Sequence, residues 1–211
     1  MEPFKKVTGV VVPLDRVNVD TDSIVPARFL KRIERDGWGE LLFFDWRFLP
    51  DGSPNPDFVL NAPGYEDAKI LVAGRNFGSG SSREHAVWAL RQYGIRAIIA
   101  PSLADIFHKN CFENGVVPVF LPEERVRELI RKAKEGPGCE LTVDLERCEV
   151  WDEEGFRSPF VVHSDPETHE FRRHCLLNGL DDIAMTLEAD EEIGAFEQRR
   201  PAWLTPVGGE E

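Results

Sequence analysis

Ile70-Leu71-Val72-Ala73-Gly74-Arg75-Asn76-Phe77-Gly78-Ser79-Gly80-Ser81-Ser82-Arg83-Glu84-His85 is the stretch from which the fold is read. Lys69–Ala73 is a short, mostly apolar run, the pattern of a strand buried on both faces of a parallel sheet. A glycine-rich loop follows. A helix is then predicted over Ser82–Tyr93, with Ala86, Ala89, Leu90 and Tyr93 on one face and Gly94 placed to end it. The pattern then repeats. Ile95–Ala100 reads as a second buried strand. Ser102–Asn114 reads as a helix starting on a Ser102/Asp105 capping box and closed by Gly115, and Val116–Phe120 as a third strand. The order βαβαβ implies parallel strands joined by right-handed crossovers.

Working outward, Val7–Val12 reads as a strand, Asn18-Val19-Asp20-Thr21-Asp22 as a polar turn, and Ile24-Val25-Pro26-Ala27 as its apolar exit. The aromatic-rich segment 29–49 carries a predicted helix from Gly39 to Phe48. Pro50–Pro63, with four prolines, reads as an ordered loop. Beyond Pro122 a helix is predicted at Glu123–Lys134, strands at Glu140–Val143, Glu149–Trp151 and Phe160–Val162, and helices at about His169–Asn178 and Ala189–Arg199. The fold class is α/β, a βαβαβ parallel core with additional antiparallel strands. Residues 1–200 are expected to form a single domain and 201–211 a loosely ordered tail.

At 211 residues the chain is long enough to bury a core without disulfides. No apolar run is long enough to span a bilayer and the N-terminus lacks the apolar core of a signal peptide, so a cytoplasmic location is expected. A net charge of −13 argues against nucleic acid or an anionic membrane as partner. An anionic ligand would need local positive charge, for which Arg75 and Arg83 are the sources. Cys111, Cys139, Cys148 and Cys175 form no C-x-x-C pair, and the five histidines show no i, i+4 ligand pair, so no metal is expected on this chain alone.

The glycine loop fails three familiar patterns. Gly78-Ser79-Gly80 is followed by Arg83 where a dinucleotide fingerprint needs glycine. No lysine follows Gly74 and Ser79 as a P-loop requires. Gly80-Ser81-Ser82-Arg83-Glu84 lacks the final glycine of a nucleophile elbow. Ser81 and Glu84 are spaced as a capping box, so Ser81 reads either as a helix cap or as a functional hydroxyl. Arg83 would lie in the first helical turn, where the helix dipole disfavours a cation. It reads either as a plain surface residue or as the partner of an anion such as a carboxylate. Asp20-Thr21-Asp22 reads as an Asx-turn, or as a place from which an aspartate orients the loop's arginine or serine. His85, Asn110 and Cys111 read as packing residues beside the site.

Gly80-Ser81-Ser82-Arg83-Glu84-His85-Ala86 resembles the signature of the small, swivelling domain of the aconitase superfamily. Asn18–Asp22 with Ile24-Val25-Pro26, and Arg96–Phe107, resemble that domain too. Phe44–Phe48, Pro54–Asn61, Phe171–Cys175 and Leu177–Asp181 resemble its isopropylmalate dehydratase branch, in the bacterial small subunits. The resemblance runs from about Val7 to Leu187. It implies a swivelling β/β/α domain and half of a hydro-lyase site, interconverting 2-isopropylmalate and 3-isopropylmalate through isopropylmaleate in leucine biosynthesis.

In that family a large subunit holds a 4Fe-4S cluster through three cysteines, one iron acting as Lewis acid on the leaving hydroxyl. The partners implied are that large subunit and a small dicarboxylate substrate. Ser81 aligns with the serine that removes the proton, and Ser82 and Arg83 with residues that bind a substrate carboxylate. Asp22, which fits better than Asp20, aligns with an aspartate near that serine. A serine base needs its alkoxide stabilised, here by the helix N-terminus and Arg83. Arg28–Trp38 is a candidate loop for discriminating the apolar branch of the substrate. The alternatives are a related homoaconitate or methylmalate dehydratase small subunit, or a free-standing carboxylate-binding module.

Overall fold

The strand β1 (Lys6–Leu14) changes character half-way along, and the sheet changes with it. Its first half alternates exposed and buried residues, whereas its last four are all buried. In the computed structural model, which describes residues 1–201, Lys6–Val10 pairs antiparallel with β5 (Glu140–Asp144) and Val11–Leu14 pairs parallel with β2 (Ile70–Ala73). Half-solvated antiparallel pairing tolerates alternation, while parallel pairing covered on both faces demands a continuous apolar run. Pro13 sits where its missing N–H costs nothing. Val11 N–H faces the β5 side, donating to the Cys139 carbonyl, and Pro13 faces the same side beyond the end of β5.

The parallel block continues with β3 (Ala97–Ala100) and β4 (Val117–Phe120), where Pro118 is tolerated because β4 is the edge. The antiparallel side continues with β6 (Glu149–Trp151) and β7 (Arg157–Pro159). Among the described residues the sheet order is β4-β3-β2-β1-β5-β6-β7. It curls until the chain after β7 returns to β4, where Phe120 N–H donates to the Val161 carbonyl at 2.9 Å.

Alternate side chains of the parallel strands feed two cores. Val12, Leu14, Leu71, Ala73, Ile98 and Ala100 pack under α3 (His85–Tyr93), α4 (Asp105–Glu113) and the aromatic segment that contains Trp38, Phe43 and Phe58. Val11, Ile70, Val72, Ala97, Ile99, Val117 and Val119 pack against Val126, Leu129, Ile130 and Ala133 of α5 (Glu123–Glu135) and Leu176 of α6 (Pro166–Asn178). The order and parallel pairing of the βαβαβ block are as the sequence predicts, as is α5, although α3 and α4 each start three residues later than predicted.

Elsewhere the boundaries move, for identifiable reasons. The predicted helix Gly39–Phe48 is broken. A 3-10 turn at Gly39–Leu41 precedes Phe43 in a left-handed conformation, and only then comes α2 (Phe44–Arg47). Leu42 and Phe43 are both buried and Phe43 N–H donates to the Ile24 carbonyl at 2.7 Å, so tertiary burial overrides the helix. The last antiparallel strand is Arg157–Pro159 rather than Phe160–Val162. The hairpin sets its register through Trp151 opposite Arg157, and Phe160 and Val162 instead plug the second core. Helix α6 starts at Pro166, capped by Asp165, and an unpredicted helix α7 (Asp182–Glu188) is capped by Asp181. Helix α8 spans Asp190–Arg199. Apart from Pro201, the expected tail lies outside the described residues.

His108 of α4 lies where the curl closes. Its Nε2 is 2.7 Å from the Val162 carbonyl and its ring stacks on Phe120, with centroids 5.0 Å apart. Burial holds its pKa below the ordinary 6.5, against the opposing pull of the Val162 carbonyl. The folded chain therefore keeps His108 neutral where the unfolded chain already takes up a proton. Its contribution to stability is complete above pH 6.5 and is lost as pH falls below it. Denaturant midpoints measured from about pH 7.5 to about pH 5 are expected to fall, and His108→Gln to reduce that fall.

Candidate active site

The glycine loop leaves the carboxyl end of β2 and is gripped on both sides. On the β1 side Asn18 N–H donates to the Arg75 carbonyl at 3.0 Å, Gly78 N–H to the Val19 carbonyl at 2.7 Å, and Thr21 N–H to the Ser79 carbonyl at 2.9 Å. On the β3 side Phe77 N–H donates to the Ser102 carbonyl at 3.3 Å and Ala104 N–H to the Phe77 carbonyl at 3.0 Å. Parallel bridges Asp20–Ser79 and Phe77–Leu103 thus extend the ladder beyond the strands. The site falls at the carboxyl edge of a parallel sheet, where such folds present their ligand loops. Gly78 lies at φ +77°, and a Cβ there would sit 2.1 Å from Cγ of Phe107, so only glycine lets the loop pass so close to α4.

The predicted capping boxes do not form. Helix α3 starts at His85, not Ser82. The residue before it, Glu84, has helical dihedrals and makes no side-chain cap, and Ser81 caps nothing. The Glu84 carboxylate instead accepts from Asn114 Nδ2 at 2.9 Å. Arg83 accordingly precedes the helix rather than lying in its first turn. The Ser81 carbonyl accepts from Thr21 Oγ1 at 2.9 Å, and Arg83 reaches across to Asp22. These two bonds hold 81–83 out of helical geometry. Ser102 likewise does not cap α4. Its Oγ accepts from Asn76 N–H at 3.0 Å, and Ala104 stands at the N-cap without a side-chain bond.

Ser81 and Arg83 line a cleft of about 230 Å³ together with Thr21, Gly78 and Gly80 on one side and Ala104–Phe107 on the other. The positive helix end that opens on this cleft is therefore that of α4, not of α3. The Arg83 side chain is only 18% exposed, and Asp22, 52% exposed, engages its Nη1. A guanidinium held at one nitrogen keeps donors for a carboxylate. The Ser81 and Ser82 side chains lie at the exposed surface, and among the described residues no group hydrogen-bonds either hydroxyl. Ser82 stands beside the cleft, outside its lining.

The structure separates the two aspartates. Asp20 accepts from Ser23 N–H at 2.6 Å and caps the short helix α1 (Thr21–Ile24), which is the Asx-turn reading; Asp22 is the one that holds the arginine. Arg75 points away, exposed and 3.9 Å from Glu123, and brings no charge to the cleft. His85 is sandwiched between Trp38 and Trp88, at centroid distances of 4.5 and 4.6 Å, and burial lowers its pKa. Asn110 and Cys111 are buried on α4, and burial pushes the Cys111 thiol far up. The residues sequence reasoning missed are Thr21 and the Ala104–Phe107 turn. Their signals were a threonine inside a segment that reads as an Asx-turn and a helix start that reads as a Ser102/Asp105 capping box.

The family described as the aconitase C-terminal domain matches residues 1–124. The family described as the C-terminal domain of the 3-isopropylmalate dehydratase small subunit matches 182–204. The 3-isopropylmalate dehydratase small subunit of Brevibacillus brevis is 56% identical over 200 residues, covering 95% of this chain and 100% of the relative. That of Rhodopirellula baltica is 56% identical over 201 residues, again covering 95% and 100%.

The chain belongs to the 3-isopropylmalate dehydratase small-subunit family.

A crystal structure of a 3-isopropylmalate dehydratase from Methanocaldococcus jannaschii, 24% identical, covers 91% of this chain and 99% of that one with a TM-score of 0.60, a likeness of fold. The family frame makes the loop's steric constraint testable. Gly78→Ala is expected to destabilise the chain by roughly 2–4 kcal/mol, combining overpacking with strain at positive φ. Equilibrium unfolding measures it, and a loss below about 0.5 kcal/mol would mean that α4 moves aside freely.

Proposed function

We propose that this chain is one half of a hydro-lyase site that isomerises 2-isopropylmalate and 3-isopropylmalate through isopropylmaleate, in leucine biosynthesis. The other half comes from a large subunit that carries a 4Fe-4S cluster. The observation that carries this reading is the convergence of Ser81, Arg83 and the first turn of α4 on one cleft. Relatives named as such small subunits, 56% identical over nearly the whole chain, support it. Among the described residues no cluster of His, Cys, Asp or Glu is arranged to hold a metal, so no step is assigned to a metal on this chain.

The roles follow from the chemistry of each group. Arg83, steadied by Asp22, binds one carboxylate of the dicarboxylate through its free donors, with Ser82 beside it. Ser81, as alkoxide, takes the proton from the carbon next to the hydroxyl-bearing carbon. The C–O bond breaks with its pair going to oxygen, the hydroxide leaving toward the partner subunit, whose cluster would accept it, and a double bond forms between the two carbons. Rehydration with the positions exchanged returns the Ser81 proton to the other carbon. An alkoxide is tolerable only beside fixed positive charge, which Arg83 and the α4 N-terminus supply. The more distant acid of a chain with net charge −13 is screened by salt beyond about 8–10 Å, which leaves Arg83 and the α4 N-terminus to act locally against Asp22 and Asp105.

Residues 1–200 are taken as the working unit, in a cytoplasmic complex that binds neither nucleic acid nor membrane. Among the described residues no helix is long and apolar enough to cross a bilayer.

The test is reconstitution. The isolated chain is expected to show no turnover, and the complex to prefer isopropylmalate over homoaconitate and methylmalate. Ser81→Ala in the complex should lower kcat by roughly 10²- to 10⁴-fold with assembly intact. Unchanged turnover would remove Ser81 from the base role. Arg83→Lys, which loses the planar fork, should raise KM roughly 10- to 100-fold, read from initial rates.

A further inference from the structure

We propose that Thr21 is a positioning residue for Ser81. Its buried hydroxyl fixes the peptide on which the Ser81 side chain is mounted. This rests on the reading of Ser81 as the base.

Thr21 is only 1% exposed, yet it lies at the wall of the cleft. Its N–H donates to the Ser79 carbonyl at 2.9 Å and its Oγ1 to the Ser81 carbonyl at 2.9 Å. One residue therefore holds both carbonyls that flank Gly80. Gly80 sits at φ +87° and, lacking a Cβ, is the softest joint in the loop. Rotation there would swing Ser81 across the cleft. With the carbonyls on either side tied to the same buried residue, that rotation is blocked.

The hydroxyl is not spent on its own helix. Helix α1 is closed by the Asp20 side chain accepting from Ser23 N–H, and by Ile24 and Val25 N–H donating to the Asp20 and Thr21 carbonyls. Every bond that shapes α1 survives removal of Thr21 Oγ1. What is lost is the single side-chain link to the Ser81 carbonyl, while the bonds that build α1 and the Thr21 N–H bond to Ser79 remain. The structure thus predicts a large effect on orientation and a small one on folding.

Three successive residues also reach three alternate ones. Asp20 bridges to Ser79, Thr21 bonds Ser81, and Asp22 bonds Arg83. Asp22 orients the carboxylate-binding arginine, and Thr21 orients the base. The two tasks make separable kinetic predictions, because the first acts on substrate affinity and the second on the chemical step.

The experiment uses the reconstituted two-subunit enzyme with Thr21→Val, Thr21→Ser and Ser81→Ala in parallel. Gel filtration checks assembly and thermal unfolding checks the fold. Thr21→Val, which keeps the shape and removes the hydroxyl, should lower kcat about 10- to 100-fold with KM within about threefold of the parent. Thr21→Ser, which keeps the hydroxyl, should restore kcat to within about threefold. A normal kcat in Thr21→Val with an inactive Ser81→Ala overturns the positioning role and leaves the base intact. An active Ser81→Ala overturns the base reading itself. A loss in Thr21→Val confined to KM, or an equal kcat loss in Thr21→Ser, also overturns the proposal. If Thr21→Val does not fold, Thr21→Ala, which also lacks the hydroxyl and adds no bulk, takes its place with the same expected and overturning outcomes.

Discussion

Strands β1 to β4 carry apolar side chains on both faces, and a parallel block of that kind is stable only between two covering layers. Residues of odd and even position go to opposite cores, so α3 and α4 cover one face while α5 and α6 cover the other. Right-handed crossovers then deliver every strand's carboxyl end to the same edge. The loops after β1, β2 and β3 emerge side by side and continue one another's hydrogen bonding through Val19, Phe77, Ser79 and Ala104. The site is the part of the ladder that runs past the sheet, and its rigidity is inherited from the buried strands behind it.

This inheritance resolves the electrostatic puzzle of an anion site on an acidic chain. A cation in the first turn of α3 would oppose the dipole of its own helix. By holding 81–83 out of that helix, the Thr21 and Asp22 contacts spare Arg83 the conflict and turn it, with Ser81, toward the N-terminus of a different helix. Gly78 makes that approach possible, since a side chain there would collide with Phe107. The positive end of α4 and one guanidinium thus meet in a small cleft that Asp105 also lines, while Arg75, equally promising in sequence, is drawn off toward Glu123.

The parallel core was legible because full burial writes itself as continuous apolar runs, and α5 because its apolar stripe has a helical period. Ser81, Arg83 and Asp22 each carried two readings in the sequence, and only the family resemblance chose between them. Their spacing favoured a capping box as readily as a site. The box failed for a reason no local pattern carries. The Thr21–Ser81 and Asp22–Arg83 contacts span 60 and 61 residues of sequence, and together they outweigh one local cap. Tertiary contact likewise broke the helix at Phe43, whose N–H donates to the Ile24 carbonyl, while a local hairpin set the last strand at Arg157–Pro159 and core packing claimed Phe160 and Val162. Helix α7 was missed although Asp181 announced it, because a short exposed helix buries no stripe for periodicity to detect.

Burial also divides the site into what acts and what holds. Thr21, Gly78 and Phe107 are buried, whereas Ser81 and Ser82 are exposed. Exposed hydroxyls in water make poor bases, because high dielectric and competing solvent dilute the charges around them. A site complete within one chain would enclose them. On the proposed reading, the two hydroxyls stand on the open side of a cleft whose wall is buried, the side from which a partner subunit would cover them. A partner protein that closes over Ser81 and Arg83 would exclude water and strengthen the charges already in place.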